Sequence, residues 1–155
     1  MGFSIYCNGV AYSCGYTAWM IFREEIAKAS MDYLREKITE IMFGEPENSY
    51  TWSQLKKIME HHDLVGCVTV PDFLDLFSNM DFLNTFIHYD LGGVFALLNK
   101  SDDDGYYTAG NALDISQTLA ILEKYVASDE IKTQLPDIKK VFYESVNKRM
   151  RITLV

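Results

Sequence analysis

The chain has 155 residues, a mass of 17.8 kDa and a formal net charge of −8, and hydrophobic residues make up 48% of it. This length is typical of one domain, so we expect a single domain over residues 1–155. The apolar content excludes a mainly disordered chain. No apolar run reaches the roughly 18 residues that a membrane-spanning helix needs.

The charge is unevenly distributed. Residues 137–155 contain five basic and two acidic residues and carry +3, which leaves −11 for the rest of the chain. No Lys or Arg occurs between Lys57 and Lys100, a stretch that contains six acidic residues. Such a surface repels nucleic-acid phosphates and favours a basic protein partner. The alternative is a solvated surface that only keeps the protein soluble.

Cysteine usage indicates a reducing compartment. Cys7, Cys14 and Cys67 are sparse and odd in number, and the first residues do not resemble a secretory leader. We therefore expect free thiols and a cytoplasmic location.

The two ends of the chain are β-prone. Residues 3–7 alternate in polarity, Asn8 and Gly9 form a tight-turn dipeptide, and residues 10–12 can return as a second strand. Residues 151–155 are also β-prone, and we expect them to pair with residues 3–7.

The next part of the chain has helical periodicity. Apolar residues over 16–43 recur at helical spacing, with a break into two helices expected at Ser30. Thr51 predicts a capped helix that runs to about His61. Thr69 is expected to cap another helix, since proline at position 71 is tolerated in a first turn.

The second half of the chain is also predicted to be helical. The aromatic residues over 71–89 are expected to share one core face, and Gly92-Gly93 indicates a tight helix crossing or a loop. Pro136 is expected to open the last helix. Thr108 predicts a capped helix with one apolar face formed by Ala112, Ile115, Leu119, Leu122 and Val126.

These elements predict a fold class that is mainly α. We expect a single compact helical domain of five to seven helices. The β-prone ends of the chain allow a small β-sheet that joins the N- and C-terminal strands.

One segment between two predicted helices resembles half of a calcium loop. With Gly105 at the sixth position of an EF-hand loop, Asp102 and Asp104 take the third and fifth positions. Lys100 and Asn111 then occupy the first and twelfth positions, where carboxylates are required. The sequence therefore predicts an exposed turn without a metal. A calcium- or small-ligand-binding module that uses Asp102–Asp104 is the alternative.

The same segment carries a resemblance to a protein family. Residues 95–105 resemble the Leu-Leu-Asn-x-Ser-Asp-x-Asp-Gly signature of small acidic proteins of bacteria and phages, and Gly15-Tyr16 and Phe22-Arg23 resemble the start of that family. The chain departs from the family at Lys100, where the family has His, and at Asp103, where it has Cys. The resemblance implies a bacterial or phage origin and carries no established activity.

Candidate catalytic groups are few. His61 and His62 are adjacent and would point about 100° apart on a helix, so they do not chelate one ion together. Cys14 precedes a predicted helix whose N-terminus would lower its pKa, and His61, His62 or His88 would have to serve as its base. No local signature supports such a pair. We therefore predict no catalytic residue, metal or cofactor, and a small enzyme with a Cys/His site is an alternative.

The sequence favours a non-catalytic protein that binds a basic surface of a protein partner. For a bacterial or phage protein this is typical of an inhibitor, either an anti-defence protein such as an anti-CRISPR or an immunity protein against a toxin. No direct contact with nucleic acid or membrane is expected. The candidate partner-binding residues are the acidic and aromatic ones over 72–107, namely Asp72, Asp75, Asp81, Tyr89, Asp90, Asp102, Asp103, Asp104, Tyr106 and Tyr107.

Overall fold

The computed structural model describes residues 2–41, 60, 70–78, 80–100 and 105–155. The strands are β1 (Gly2–Cys7), β2 (Val10–Gly15), β3 (Gly105–Tyr107) and β4 (Ile152–Leu154). The helices are α1 (Tyr16–Ile41), α2 (Val70–Phe77), α3 (Met80–His88), α4 (Gly92–Leu98), α5 (Ala109–Leu122) and α6 (Asp129–Lys148), and a 3₁₀ turn, Glu123–Tyr125, follows α5.

The N-terminal hairpin has the predicted two-residue turn. Asn8 has φ 48° and Gly9 has φ 83°, so both turn residues adopt the left-handed conformation that matches the twist of the flanking strands. Cys7 then pairs directly with Val10 at the end of the ladder. The hairpin prediction is confirmed, and β2 extends three residues beyond the predicted strand.

The four strands form one antiparallel sheet in the order β2-β1-β4-β3. The C-terminal strand lies between the first and third strands, and Ile5 pairs with Leu154. The expected pairing of residues 151–155 with residues 3–7 is therefore confirmed. On the other side of β4, Tyr106 pairs with Thr153.

The prediction of a mainly α protein is wrong. The sheet is a full structural layer, because one of its faces belongs to the same core as the helices. The error lies at β3, because the sequence predicts a loop between two helices for these residues. A three-residue strand has no detectable periodicity, and it forms here because β4 supplies its hydrogen-bonding partner. The buried residues of the sheet are Phe3, Ile5, Cys7, Tyr107, Ile152 and Leu154.

Helix α1 is continuous, so the predicted break at Ser30 is also wrong. The Ser30 hydroxyl is buried and donates to the carbonyl of Ala27 at 2.5 Å, which satisfies this polar group within the helix. Although α1 has 26 residues, neither it nor any other helix in the described ranges combines enough length and apolar character to cross a lipid bilayer.

Helix α6 begins earlier than predicted, at Asp129, and Pro136 lies inside it. The Ser128 hydroxyl caps the helix by accepting from the backbone N–H of Ile131 at 3.3 Å. Proline lacks the N–H that would bond the carbonyl of Lys132, but Lys132 is exposed and water can satisfy that carbonyl. The apolar face continues on both sides of the proline through Ile131, Leu135, Ile138 and Phe142.

The aromatic helices and the cap of α5 agree with the sequence. The rings of Phe77 and Phe86 meet edge to face at 4.9 Å, which joins α2 to α3. Thr108 and Asn111 form a reciprocal capping box at the start of α5. All five residues of the predicted α5 face are buried. The predicted caps at Thr51 and Thr69 lie outside the described residues.

A buried arginine connects α1 to the end of α4. Arg23 is 3% exposed, and its guanidinium donates to the carbonyl of Leu98 at 2.6 Å and to that of Lys100 at 2.8 Å. Carbonyls at a helix C-terminus have no intrahelical donor, so a cation there satisfies them and complements the helix dipole.

Replacing this arginine should cost substantial stability. Arg23→Met keeps most of the apolar stem but removes the donors to the buried Leu98 carbonyl and the partly buried Lys100 carbonyl, so we expect the free energy of unfolding to fall by about 2 kcal/mol or more. Lys28→Met, which removes a cation from a partly exposed position of the same helix, is the control. Urea denaturation measures both, and a loss in Arg23→Met no larger than the control's would contradict this account.

Candidate functional site

The predicted acidic residues on α2 and α3 are separated along two short helices. Asp72 and Asp75 lie on α2, and Asp81 lies in the first turn of α3. The Asp75 side chain is exposed. For Asp72 and Asp81 the structure describes the backbone position only.

Asp90 lies at the turn between α3 and α4. It is exposed and has φ 59°, a left-handed conformation that aspartate tolerates better than most residues. Its carbonyl accepts a hydrogen bond from the Thr118 hydroxyl at 3.0 Å. The preceding Tyr89 is partly buried against the core and its ring meets His88 edge to face, so only part of Tyr89 is available to a partner.

A close helix crossing lies beside Asp90. A Cβ atom on Gly93 would lie 2.4 Å from the Asp114 carbonyl oxygen and 2.5 Å from the Thr118 hydroxyl oxygen, so only glycine fits this position of α4. The Gly93 N–H donates to the Thr118 hydroxyl at 3.1 Å. The tight crossing predicted from Gly92-Gly93 is confirmed at Gly93, and its partner is α5.

The crossing creates a small cleft that two aspartates line. The cleft has a volume of about 230 Å³, and no Lys or Arg contributes to it from the part of the chain that the structure describes. We call it the acidic cleft, and its lining residues are Ile87, Asp90, Gly92, Gly93, Asp114 and Gln117.

The acidic cleft contains one predicted site residue and one that the sequence analysis missed. Asp90 was predicted, whereas Asp114 was not singled out. The signal for Asp114 was indirect: a glycine pair that predicts a helix crossing also predicts that residues of the crossing helix lie nearby. Exposed Ile87, with 54% of its surface accessible, completes the rim.

Tyr106 lies on β3 in a basic environment. Tyr106 is 46% exposed, and the Lys100 ammonium lies 5.8 Å and the Arg151 guanidinium 5.1 Å from the centroid of its ring. The predicted acidic and aromatic surface is therefore not uniform, because cations surround this tyrosine. Asp102–Asp104 lie outside the described residues, so the calcium-loop alternative stays a prediction.

Tyr107 does not belong to the candidate surface. Its side chain is completely buried, its ring lies 5.8 Å from that of Phe142, and its hydroxyl donates to the carbonyl of Leu97 at 3.0 Å. Alternation along β3 explains the difference from Tyr106, since neighbouring residues of a strand point to opposite faces. Tyr107 therefore has a role in packing.

The candidate nucleophile Cys14 lies in a strand and packs against the core. Burial raises the pKa of its thiol, and a hydrogen bond with Tyr12 offsets this only in part. The lowered pKa expected from a helix N-terminus is not found. Of the candidate bases, His88 is exposed at the end of α3, and His61 and His62 lie outside the described residues.

The side chains of the described residues do not form a candidate metal site. Within residues 2–41, 60, 70–78, 80–100 and 105–155, no group of three or more His, Cys, Asp or Glu side chains is arranged to hold a metal ion. Among the described residues, Asp90 and Asp114 are two acidic residues that line the same cavity.

Comparison of the chain with protein-family models, with curated proteins and with solved structures finds no significant match. The family resemblance of residues 95–105 therefore stays a prediction. The geometry of the site itself has to support any proposed function.

Gly93→Ala should destabilise the protein and distort the acidic cleft. The added methyl group meets backbone of α5, which cannot move aside as a side chain can, so we expect the free energy of unfolding to fall by about 2–3 kcal/mol. Gly92→Ala is the matched control, because its nearest new contact is an ordinary 3.5 Å to an Ile87 side-chain carbon. Chemical denaturation compares the two variants, and equal stability would contradict the close crossing.

Cys14 should react slowly with alkylating agents. Because burial raises its pKa, the thiolate fraction at neutral pH is lower than in an unperturbed thiol of pKa about 8.5. Iodoacetamide labelling at pH 7.5, read peptide by peptide by mass spectrometry, should modify Cys14 several-fold more slowly than glutathione. Faster labelling than glutathione would revive the nucleophile hypothesis.

Proposed function

We propose that this protein is a non-catalytic binding protein that docks on a basic surface of a protein partner and receives one cationic side chain in the acidic cleft. The observation that carries the proposal is the meeting of Asp90, Asp114 and exposed Ile87 at one cavity. Two aspartates that line one cavity with an accessible apolar side chain match the chemistry of lysine and arginine, which have an apolar stem and a charged end.

The size of the acidic cleft supports a side chain as its occupant. Small-molecule sites generally have volumes of roughly 300–1,000 Å³. At about 230 Å³ the cleft lies below that range. Gln117, whose amide carbonyl is a further hydrogen-bond acceptor, also lines it. A guanidinium group can donate to several acceptors at once, so arginine fits these lining groups well.

The surface beside the cleft supports a protein partner. Met80 is 64% exposed and lies seven residues before Ile87 on α3, so the two side chains project from the same face two turns apart. Asn84, between them in sequence, is also exposed. Accessible apolar side chains with carboxylates close by are typical of an interaction surface for an amphipathic, basic partner.

We further propose that the protein acts as an inhibitor of a nucleic-acid-binding effector. A bacterial or phage protein with this surface would mask the basic surface of a nuclease or other nucleic-acid-binding effector in the cytoplasm. The continuous stretch without Lys or Arg, between Lys57 and Lys100, supports an attraction that weakens with salt.

Site-specific photo-crosslinking tests this proposal. With a photoreactive amino acid in place of Ile87, we expect a crosslink to a basic protein in host lysate, and the same label in place of exposed Ile21 on α1 is the positional control. Asp90→Asn with Asp114→Asn should reduce the yield at least tenfold, because the cation loses both of its partners. Glu130→Gln with Asp137→Asn, an equal charge change on α6, should leave it unchanged.

Three results would contradict the proposal. The first is a crosslink of equal yield from both label positions. The second is a crosslinked partner that is acidic. The third is a yield from the Ile87 position that neither the cleft variant nor a rise in salt reduces, since binding of a cation by two carboxylates must depend on both.

A further inference from the structure

A larger pocket lies between α5 and α6, and the proposed function does not use it. Its volume is about 480 Å³, within the usual range for small-molecule sites. Its described lining residues are Ser116 and Glu123 on one side and Pro136, Lys139, Lys140 and Tyr143 on the other.

The spacing of the lining residues shows that one face of each helix forms a wall of the pocket. Ser116 and Glu123 are seven residues apart, which places them two helical turns apart on one side of α5 and the turn that follows it. Pro136, Lys139 and Tyr143 recur at intervals of three and four residues, so they share one face of α6. The two helices pack against each other, and these two faces line the pocket from opposite sides.

The walls of the pocket can hold an apolar or aromatic body. Pro136 contributes a ring without an N–H donor. Tyr143 is 67% exposed, an unusual position for an aromatic ring of this size, and its face is available for stacking. The pocket therefore offers a proline ring and a tyrosine ring on the same helix face.

The rim of the pocket is cationic in an otherwise acidic protein. Lys139 and Lys140 both line the pocket. They lie in residues 137–155, which carry a net charge of +3, whereas the whole chain carries −8. Lys139 is paired with Glu123 at 3.1 Å, and Lys140 with Asp137 at 3.5 Å. Both pairs are solvent-accessible and thus weak, so either ammonium group can turn to an anionic ligand.

The wall also contains an unsatisfied hydroxyl group. The Ser116 Oγ atom is buried and has no hydrogen-bond partner among the residues that the structure describes. A helical serine normally bonds a carbonyl one turn earlier or a water molecule, so a buried hydroxyl without a partner requires an explanation. Because this atom is shielded from solvent, the Ser116 side chain must rotate towards the pocket before its hydroxyl can bond a polar atom of a ligand.

We propose that this pocket binds a small organic anion with an aromatic or other apolar body. The acid group lies at Lys139 and Lys140, and the body lies against Pro136 and Tyr143. Ser116 donates to a polar atom of the ligand once its side chain has rotated towards the pocket. The inference does not depend on the acidic cleft, and either proposal can fail without the other.

The test uses the fluorescent anion 8-anilinonaphthalene-1-sulfonate as the probe and the full chain as the protein. We expect one saturable site, and amide shifts in a ¹⁵N NMR spectrum around residues 116, 139, 140 and 143. N-phenyl-1-naphthylamine has the same rings without the sulfonate, so it separates the role of the acid group from that of the rings.

Charge variants then give effects of opposite sign. Lys139→Gln with Lys140→Gln should weaken binding of the sulfonate probe at least tenfold and change that of the uncharged probe less than twofold. Glu123→Gln should tighten binding of the sulfonate probe several-fold, because it removes the carboxylate that competes for Lys139. Lys132→Gln with Lys148→Gln, an equal charge change elsewhere on α6, is the control.

Several outcomes would overturn the inference. NMR shifts that lie outside the pocket would show that the probe binds elsewhere. Loss of affinity in the Lys132 and Lys148 control equal to that in the pocket variant would show a general charge effect. Unchanged affinity in Glu123→Gln, or an equal loss for both probes in the lysine variant, would show that the acid group is not recognised at this rim.

Discussion

The contact of Gly93 with helix α5 is the constraint on which the candidate site depends. Helix α4 has seven residues, too few to be stable alone, so tertiary contacts must hold it in place. At its first turn the backbone of α4 approaches α5 so closely that no Cβ atom fits. This approach sets Asp90, at the start of α4, beside Asp114 of α5. Without it the two aspartates would belong to unrelated parts of the surface.

Helix α4 is held at both ends by polar side chains from other helices. Thr118 accepts from the Gly93 N–H and donates to the Asp90 carbonyl, which fixes the N-terminal end. Arg23 donates to the carbonyls of Leu98 and Lys100, which fixes the C-terminal end. Both side chains are buried, and directional bonds from them define the position of α4 more firmly than apolar packing alone.

Local sequence signals predicted the local structures well. The Asn8-Gly9 turn, the helix cap at Thr108 and the apolar face that follows it each depend on residues within one or two turns of each other. Strand β3 and the helical position of Pro136 were missed for the same reason. The first depends on pairing with β4 at the far end of the chain, and the second depends on a buried face that continues past the proline.

The candidate site was predicted only in part, because the sequence shows which residues are charged but not which of them lie close together in the fold. Asp90 was included as one of many acidic residues, and nothing in the local sequence of Asp114 distinguishes it. Tyr106 and Tyr107 were treated alike, although the alternation of β3 places one on the surface and buries the other. To predict the cleft, one must know both that a helix crossing exists and which helix crosses α4. The glycine pair indicates only that a crossing exists.

A side-chain analogue tests directly whether the acidic cleft binds a cationic side chain. This experiment does not require that the partner be known. The ¹⁵N-labelled protein can be titrated with N-acetyl-arginine amide, with the uncharged isostere N-acetyl-citrulline amide as the control. The account predicts saturable shifts of the amides of Asp90, Gly92, Gly93 and Gln117 with the arginine compound only, and their loss in the Asp90→Asn, Asp114→Asn variant. Equal shifts with both compounds, or arginine-dependent shifts confined to other parts of the surface, would contradict it.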